Sequence, residues 1–149
     1  MSILRITKRF HFEMAHALYA YDGICRNIHG HSYQLEVTIT GSVLKAPGQP
    51  KDGMVMDFHD LKTIVKQAVV DRLDHAIMVN SLVDKEQKNA LSELTSRMIV
   101  VDFQPTTENI LLHIAQILSP QLTSNLKLYS LKLFETGTSF AEWFASDNP

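Results

Sequence analysis

The sequence predicts an α+β fold in which helices cover one face of an antiparallel sheet, and three observations predict it. Residues 10–16 and 33–40 alternate apolar and polar side chains, the two-residue period of half-buried strands. Residues 58–73 and 106–118 repeat apolar side chains every three or four positions, the period of amphipathic helices. Residues 126–135 and 139–145 return to strand character on either side of Gly137. The order strand, strand, helix, helix, strand, strand gives a four-stranded antiparallel sheet with two helices on one face, with small strand additions.

The first strand runs over residues 3 to 16. Phe10, Phe12, Met14 and His16 share one face, and His11, Glu13 and Ala15 the other. Residues 17 to 30 form a loop containing Tyr19, Tyr21, Asp22 and Gly23. The second strand covers residues 31 to 41, with Tyr33, Leu35, Val37 and Ile39 apolar against Gln34, Glu36, Thr38 and Thr40. Ala46 to Gly53 carries prolines at 47 and 50 and glycines at 48 and 53, a turn within one domain. Met54-Val55-Met56 reads as a short strand returning from it.

Asp57 caps the first helix. Phe58, Leu61, Ile64, Val65, Ala68, Val69 and Leu73 face inward; Lys62, Lys66, Gln67 and Asp71 face out, and the helix ends near Leu73-Asp74-His75. Residues 80 to 97 are polar and read as a loop with a helical turn around Glu86 to Leu94. Met98 to Phe103 is apolar enough for a short buried strand. A threonine in Pro105-Thr106-Thr107-Glu108-Asn109 caps the second helix, and Glu108 suits the positive end of its dipole. Ile110, Leu111, Ile114, Ile117 and Leu118 form its buried stripe, which Pro120 closes. Leu126 to Glu135 and Ser139 to Ala145 are the closing strands. No internal repeat or low-complexity stretch interrupts the pattern.

Composition narrows the function. The chain of 149 residues, 45% hydrophobic and 20% charged, is expected to be one soluble domain over 1–149 with a sizeable core. A net charge of -2 leaves no electrostatic footprint for nucleic acid. One cysteine excludes an internal disulfide and fits a reducing compartment. Neither a signal-peptide core nor a membrane-length apolar run is present, so a cytoplasmic protein is expected. No Gly-x-Gly-x-x-Gly, P-loop or Gly-x-Ser-x-Gly pattern occurs.

The chemistry concentrates in Cys25-Arg26-Asn27-Ile28-His29-Gly30-His31-Ser32-Tyr33. His29 and His31 look the same way if the second strand reaches back to them, and Gly30 lets the backbone crowd against whatever is bound. If the two strands pair as a hairpin, His16 joins them. Three imidazoles with an open fourth position make a catalytic zinc arrangement, whereas closed structural zinc sites are rich in cysteine. Cys25 lies just upstream, where a metal or imidazole would favour its thiolate, a base or nucleophile. Strands also carry His-x-His pairs by chance, so these residues alone leave both readings open. Asp74 beside His75 suits a tautomer-fixing pair, but equally a His⁺ closing a helix C-terminus. Glu135 shares the core-side face with Leu131 and Leu133; it either grips a guanidine-like edge such as a pterin's or turns to solvent. His11, His59 and His113 have no comparable setting. Trp143 reads as a core or interface aromatic.

Phe12-x-x-Ala15-His16, Cys25-x-x-x-His29-Gly30-His31, Met56-Asp57-Phe58, Leu73-Asp74-His75, Pro105-Thr106-Thr107-Glu108-Asn109 and Glu135-Thr136 follow one another along nearly the whole chain. Together they resemble the 6-pyruvoyl-tetrahydropterin synthase family. The resemblance implies a tunnelling fold (T-fold), whose subunits join their sheets into a barrel, usually a homohexamer of two stacked trimers with active sites between subunits. It implies His16, His29 and His31 as ligands of Zn2+, Cys25 as general base, and Asp74 and His75 as a proton relay that reaches a neighbouring subunit's site. It further implies that Glu135 anchors the pterin or joins the relay, and that Thr107 and Glu108 help line the pocket. The family acts on 7,8-dihydroneopterin triphosphate. The three residues between Cys25 and His29 look like the carboxy-forming bacterial branch, which serves queuosine and deazapurine biosynthesis. Pyruvoyl-forming members have a longer gap, and Cys25 argues against the hydroxymethyl branch. Residues 80 to 104 depart from the pattern, reading longer than in compact members. A pterin- or metal-binding module without catalysis is the contrasting function; Cys25, Asp74, His75 and Glu135 together speak against it.

Overall fold

The alternation of the first two strands organises the molecule. In the computed structural model, which describes residues 2–123 and 125–149, strand β1 (Ile3–His16) pairs antiparallel with β2 (His29–Ser42) along its whole length, from Ile3↔Ser42 to His16↔His29. β2 therefore begins two residues earlier than the alternation alone indicates, because His29 and Gly30 find partners in His16 and Ala15. Phe10, Phe12, Met14, Tyr33, Leu35, Val37 and Ile39 all turn to one face and are buried there.

Helices cover that face. α1 (Phe58–Val65) continues through a π-helical turn (Lys66–Val70) into the short α2 (Asp71–Leu73). It presents Leu61, Val65, Val69 and Leu73 to the sheet. After α3 (Lys85–Leu94) comes α4 (Thr107–Leu118), which adds Ile110, Leu111, Ile114 and Leu118 to the same core. Each such side chain contributes about 1.5–3 kcal/mol relative to exposure. Both covering helices start as expected: the Asp57 carboxylate accepts from His59 N (2.8 Å) and the Thr106 hydroxyl from Asn109 N (3.3 Å). Among the described residues no helix is long and apolar enough to cross a membrane.

The sheet has six strands rather than four. With β3 (Ala76–Asn80), β4 (Met98–Val101), β5 (Leu126–Phe134) and β6 (Phe140–Phe144), the order is β4-β3-β1-β2-β5-β6. β5 and β6 extend it antiparallel beyond β2, whereas β3 runs parallel to β1 and β4 parallel to β3. The α+β character stands, but the sheet is mixed. β3 escapes the periodicity argument because all five of its residues are buried, leaving no alternation to detect. β4 lies where the short apolar run was expected.

Two further expectations change. Met54-Val55-Met56 is not a strand: two isolated backbone bonds, Leu44 N to Met54 O (2.8 Å) and Gly53 N to Leu44 O (2.9 Å), close the 46–53 excursion. The polar stretch after residue 80 holds a full ten-residue helix, α3, capped by Asp84. It buries none of its side chains, so it has no core stripe to betray it.

The end of α2 is locked to β1. Asp74 accepts Glu13 N on Oδ1 (2.8 Å), and His75 N donates to Glu13 O (2.6 Å). His75 takes a left-handed conformation (φ 59°) to make this turn. Arg97 donates to the carbonyls of Asp71 (2.6 Å) and Asp74 (3.0 Å), which the helix leaves unpaired. The bond from Glu13 N, followed by the contact with His75, holds the Asp74 carboxyl below the usual carboxylate range. A lowered folded-state pKa stabilises above the unfolded value, about 3.9, and that contribution disappears as the pH falls through the folded value. Asp74→Ala is therefore expected to lower Tm at neutral pH, and the gap to wild type to narrow below about pH 4. Thermal unfolding across the acid range checks this; a pH-independent gap would remove the carboxylate as its source.

Candidate metal centre

The last rung of the β1–β2 ladder places His16 opposite His29, and the alternation of β2 brings His31 to the same side. One ligand nitrogen from each of the three lies within 4.8 Å of the others. Backbone carbonyls orient two of the rings. His16 Nδ1–H donates to Pro105 O (2.6 Å), and His29 Nδ1–H to Asn27 O (2.7 Å). This tautomer leaves the Nε2 lone pairs of both rings directed at each other, 3.0 Å apart. His16 is buried, and that burial pushes its pKa below the usual histidine value, keeping it neutral.

The third ring carries the same message. His31 Nε2 is buried and has no hydrogen-bond partner among the described residues; Glu135 Oε1 lies 3.8 Å away. The carbonyl-oriented Nδ1 atoms of His16 and His29 and the clustered ring nitrogens of all three histidines form the donor set that a divalent transition metal takes. A tetrahedral ion bound at 2.0–2.1 Å separates its nitrogen ligands by about 3.3 Å, close to the spacing of His16 and His29. The His16–His29 pair therefore matches such an ion, and His31 lies close enough to complete a three-nitrogen set.

A cleft of about 360 Å³ opens beside the trio, lined by His16, Cys25, Thr107, Glu108 and Glu135. Cys25 sits on a single 3₁₀ turn, Ile24–Arg26, and is half-buried. Its loop is pinned from both sides: Leu18 N donates to Cys25 O (3.0 Å), and the Gln104 amide clamps Tyr19 N (2.8 Å) and O (2.7 Å). Glu135 follows β5 and accepts a short hydrogen bond on Oε2 from the Thr107 hydroxyl. Thr107 opens α4, so one residue joins the helix start to the cleft.

Asp74 and His75 are not part of this cleft. They pair with each other, Asp74 Oδ2 to His75 Nδ1 at 2.9 Å, and His75 is largely exposed. His75 borders a shallow hollow with Glu13, Ala15, Gly30, His31 and Ser32, at the final rungs of the β1–β2 ladder. The remaining histidines lie elsewhere. His11 and His59 are exposed, and His113 is half-buried against Phe103, its pKa lowered mainly by burial. Trp143 packs at the edge of the core. The orienting carbonyls of Pro105 and Asn27, and the Gln104 clamp, escaped sequence reasoning. A backbone carbonyl has no residue-type signature, although Asn27 falls between Cys25 and His29 and Gln104-Pro105 adjoins the helix-start motif.

A family model described as 6-pyruvoyl tetrahydropterin synthase matches residues 5–145. A 6-carboxy-5,6,7,8-tetrahydropterin synthase of Haemophilus influenzae is 40% identical over 143 residues, covering 95% of this chain and 99% of that protein. A 6-pyruvoyl tetrahydrobiopterin synthase of Dictyostelium discoideum is 35% identical over 145 residues, covering 91% of each. Among solved structures, 6-pyruvoyl tetrahydropterin synthase from Caenorhabditis elegans superimposes with a TM-score of 0.66 at 25% identity, over 97% of this chain and 96% of that one. An uncharacterized protein from Wolinella succinogenes shares the fold, with a TM-score of 0.78 at 21% identity over 97% and 99% of the two chains.

The donor set leads to a direct expectation. Wild-type protein dialysed after zinc loading should retain about one ion per chain, and His31→Ala, left with two imidazoles, should lose it. Metal analysis of the folded variant decides; an undiminished zinc content would remove His31 from the ligand set.

Proposed function

The chain belongs to the 6-pyruvoyl tetrahydropterin synthase family, and within it we propose a zinc-dependent 6-carboxytetrahydropterin synthase. Its substrate is 7,8-dihydroneopterin triphosphate. The products are 6-carboxy-5,6,7,8-tetrahydropterin, acetaldehyde and triphosphate, with one water consumed, a step toward queuosine and related deazapurines. The observation that carries this reading is the clustering of His16, His29 and His31 beside a cleft that His16 lines together with Cys25 and Glu135. The 40% identity to the Haemophilus protein supports the carboxy-forming reaction. The 35% identity to the Dictyostelium protein favours the second reading, a pyruvoyl-forming synthase with the same site and a different outcome.

In the proposed mechanism His16, His29 and His31 hold the zinc ion. When bound, zinc supplies Lewis acidity toward the oxygens of the substrate side chain. Glu135 accepts two parallel hydrogen bonds from the amino and ring N–H groups of the pterin. The Thr107 hydroxyl holds that carboxylate from behind, and Glu108 borders the pocket. Cys25, as thiolate, removes a proton from the substrate side chain. His75, oriented by Asp74 Oδ2, exchanges protons with the substrate hydroxyls. Because that pair lies apart from Cys25 within one chain, we assign it to the cleft of a neighbouring copy in a homohexamer of two stacked trimers. Each chain then acts as one domain that lends a relay and borrows another, in a protein working in the cytoplasm.

Incubating zinc-loaded protein with 7,8-dihydroneopterin triphosphate tests the reading. Mass spectrometry should find 6-carboxytetrahydropterin with acetaldehyde; a pyruvoyl product would move the protein to the second reading. Cys25→Ala should keep zinc and lose turnover by a factor of at least about 100, and full activity would remove Cys25 as base. The shared relay makes a separate expectation. Cys25→Ala and His75→Ala, each inactive alone, should regain part of the activity when dissociated together and reassembled. Mixed assemblies that stay inactive would place the relay and its base in one chain.

A further inference from the structure

Tyr33 is fully buried, yet its hydroxyl has no hydrogen-bond partner among the described residues. His31 Nε2 shares that condition, two residues away on the same face of β2. The Tyr33 ring stacks on Phe12, with centroids 5.2 Å apart and planes 15° from parallel. It meets His31 nearly edge-on at 5.5 Å and His16 likewise at 6.3 Å. A phenyl group would fill the same space, so packing accounts for the ring and not for the oxygen. Leaving a buried hydroxyl unpaired is unfavourable.

The sheet register points to the acceptor. β2 and β5 pair through Leu35↔Leu133 and Gln34↔Phe134, so the next step sets Tyr33 opposite Glu135. The Glu135 side chain lies on the helix-covered face, where its Oε2 takes the Thr107 hydroxyl and its Oε1 faces His31 Nε2. A phenol hydroxyl can donate and a carboxylate oxygen can accept, so the two groups are complementary.

His31 Nε2 carries either a proton directed at Glu135 or a lone pair directed at a cation, never both. Ligation therefore leaves the 3.8 Å contact between His31 Nε2 and Glu135 Oε1 without a proton to share. We propose that Tyr33 is a positioning residue that takes over this contact, its hydroxyl donating to Glu135 once His31 Nε2 is committed to the metal. Glu135 is then held between Thr107 and Tyr33 while it still lines the cleft. Metal loading thus repairs the unpaired hydroxyl and orients the carboxylate in one step. This inference rests on the metal-binding reading of the histidine trio.

The test needs zinc alone and no substrate. Zinc affinity is measured by competition against a chromogenic chelator for wild type, Tyr33→Phe, Glu135→Ala and the double variant, beside the Tm of each metal-free protein. Tyr33→Phe should leave the metal-free Tm unchanged or raise it, and weaken zinc binding about five- to ten-fold, the worth of one hydrogen bond. In the Glu135→Ala background the same change should cost nothing further. Unchanged zinc affinity in Tyr33→Phe, an equal loss in both backgrounds, or a fall in metal-free Tm would each overturn the proposal. Wild-type protein that binds no zinc would overturn the metal reading, and this inference with it. Zinc-binding wild type with an indifferent Tyr33→Phe would overturn this inference alone.

Discussion

The structure depends on the register between β1 and β2. Their ladder sets His16 opposite His29 at its final rung, and the same alternation that buries Phe12 and Tyr33 turns the imidazoles inward. A slip of one residue would send every core side chain of β2, and both of its histidines, to the opposite face. Core packing thus enforces the geometry of the candidate metal centre. The hydrophobic burial that stabilises the sheet also aligns the imidazole nitrogens.

A second coupling joins the sheet to the helices. His16 Nδ1 reaches the carbonyl of Pro105, two residues before α4 begins, and Thr107 in the first turn of α4 bonds to Glu135 at the end of β5. The start of one helix therefore touches two distant strands through groups that also border the cleft. Asn109 Nδ2 adds a bond to Gln104 O (3.0 Å), and Gln104 in turn grips the loop that carries Cys25. Helix start, histidine trio and cysteine loop form one connected set of polar contacts above the apolar core.

Much of this was legible in the sequence, for definite reasons. β1, β2, α1 and α4 each bury one face only, so their periods survive in the residue pattern. His29 and His31 announce themselves because the strand period sets both on one face, and Glu135 because it extends the buried face of Leu131 and Leu133. β3 was hidden by uniform burial and α3 by the lack of any. Met54-Val55-Met56 has strand composition without a continuous partner. Asp74 and His75 were recognisable as a pair, but their position on the far side of β1 follows from a left-handed turn at His75 that residue types do not encode. The carbonyls of Asn27 and Pro105 leave no trace in composition at all.

Those two carbonyls carry an evolutionary consequence. The atoms that aim His16 and His29 belong to the main chain, so exchanging the side chain of residue 27 leaves its acceptor oxygen in place. A carboxylate in the same role could be deleted by one codon change; a peptide oxygen is lost only if the chain itself takes another path. Neutral drift can rewrite the surface around the imidazoles while their aim is inherited with the backbone, and ligand orientation becomes as heritable as the fold.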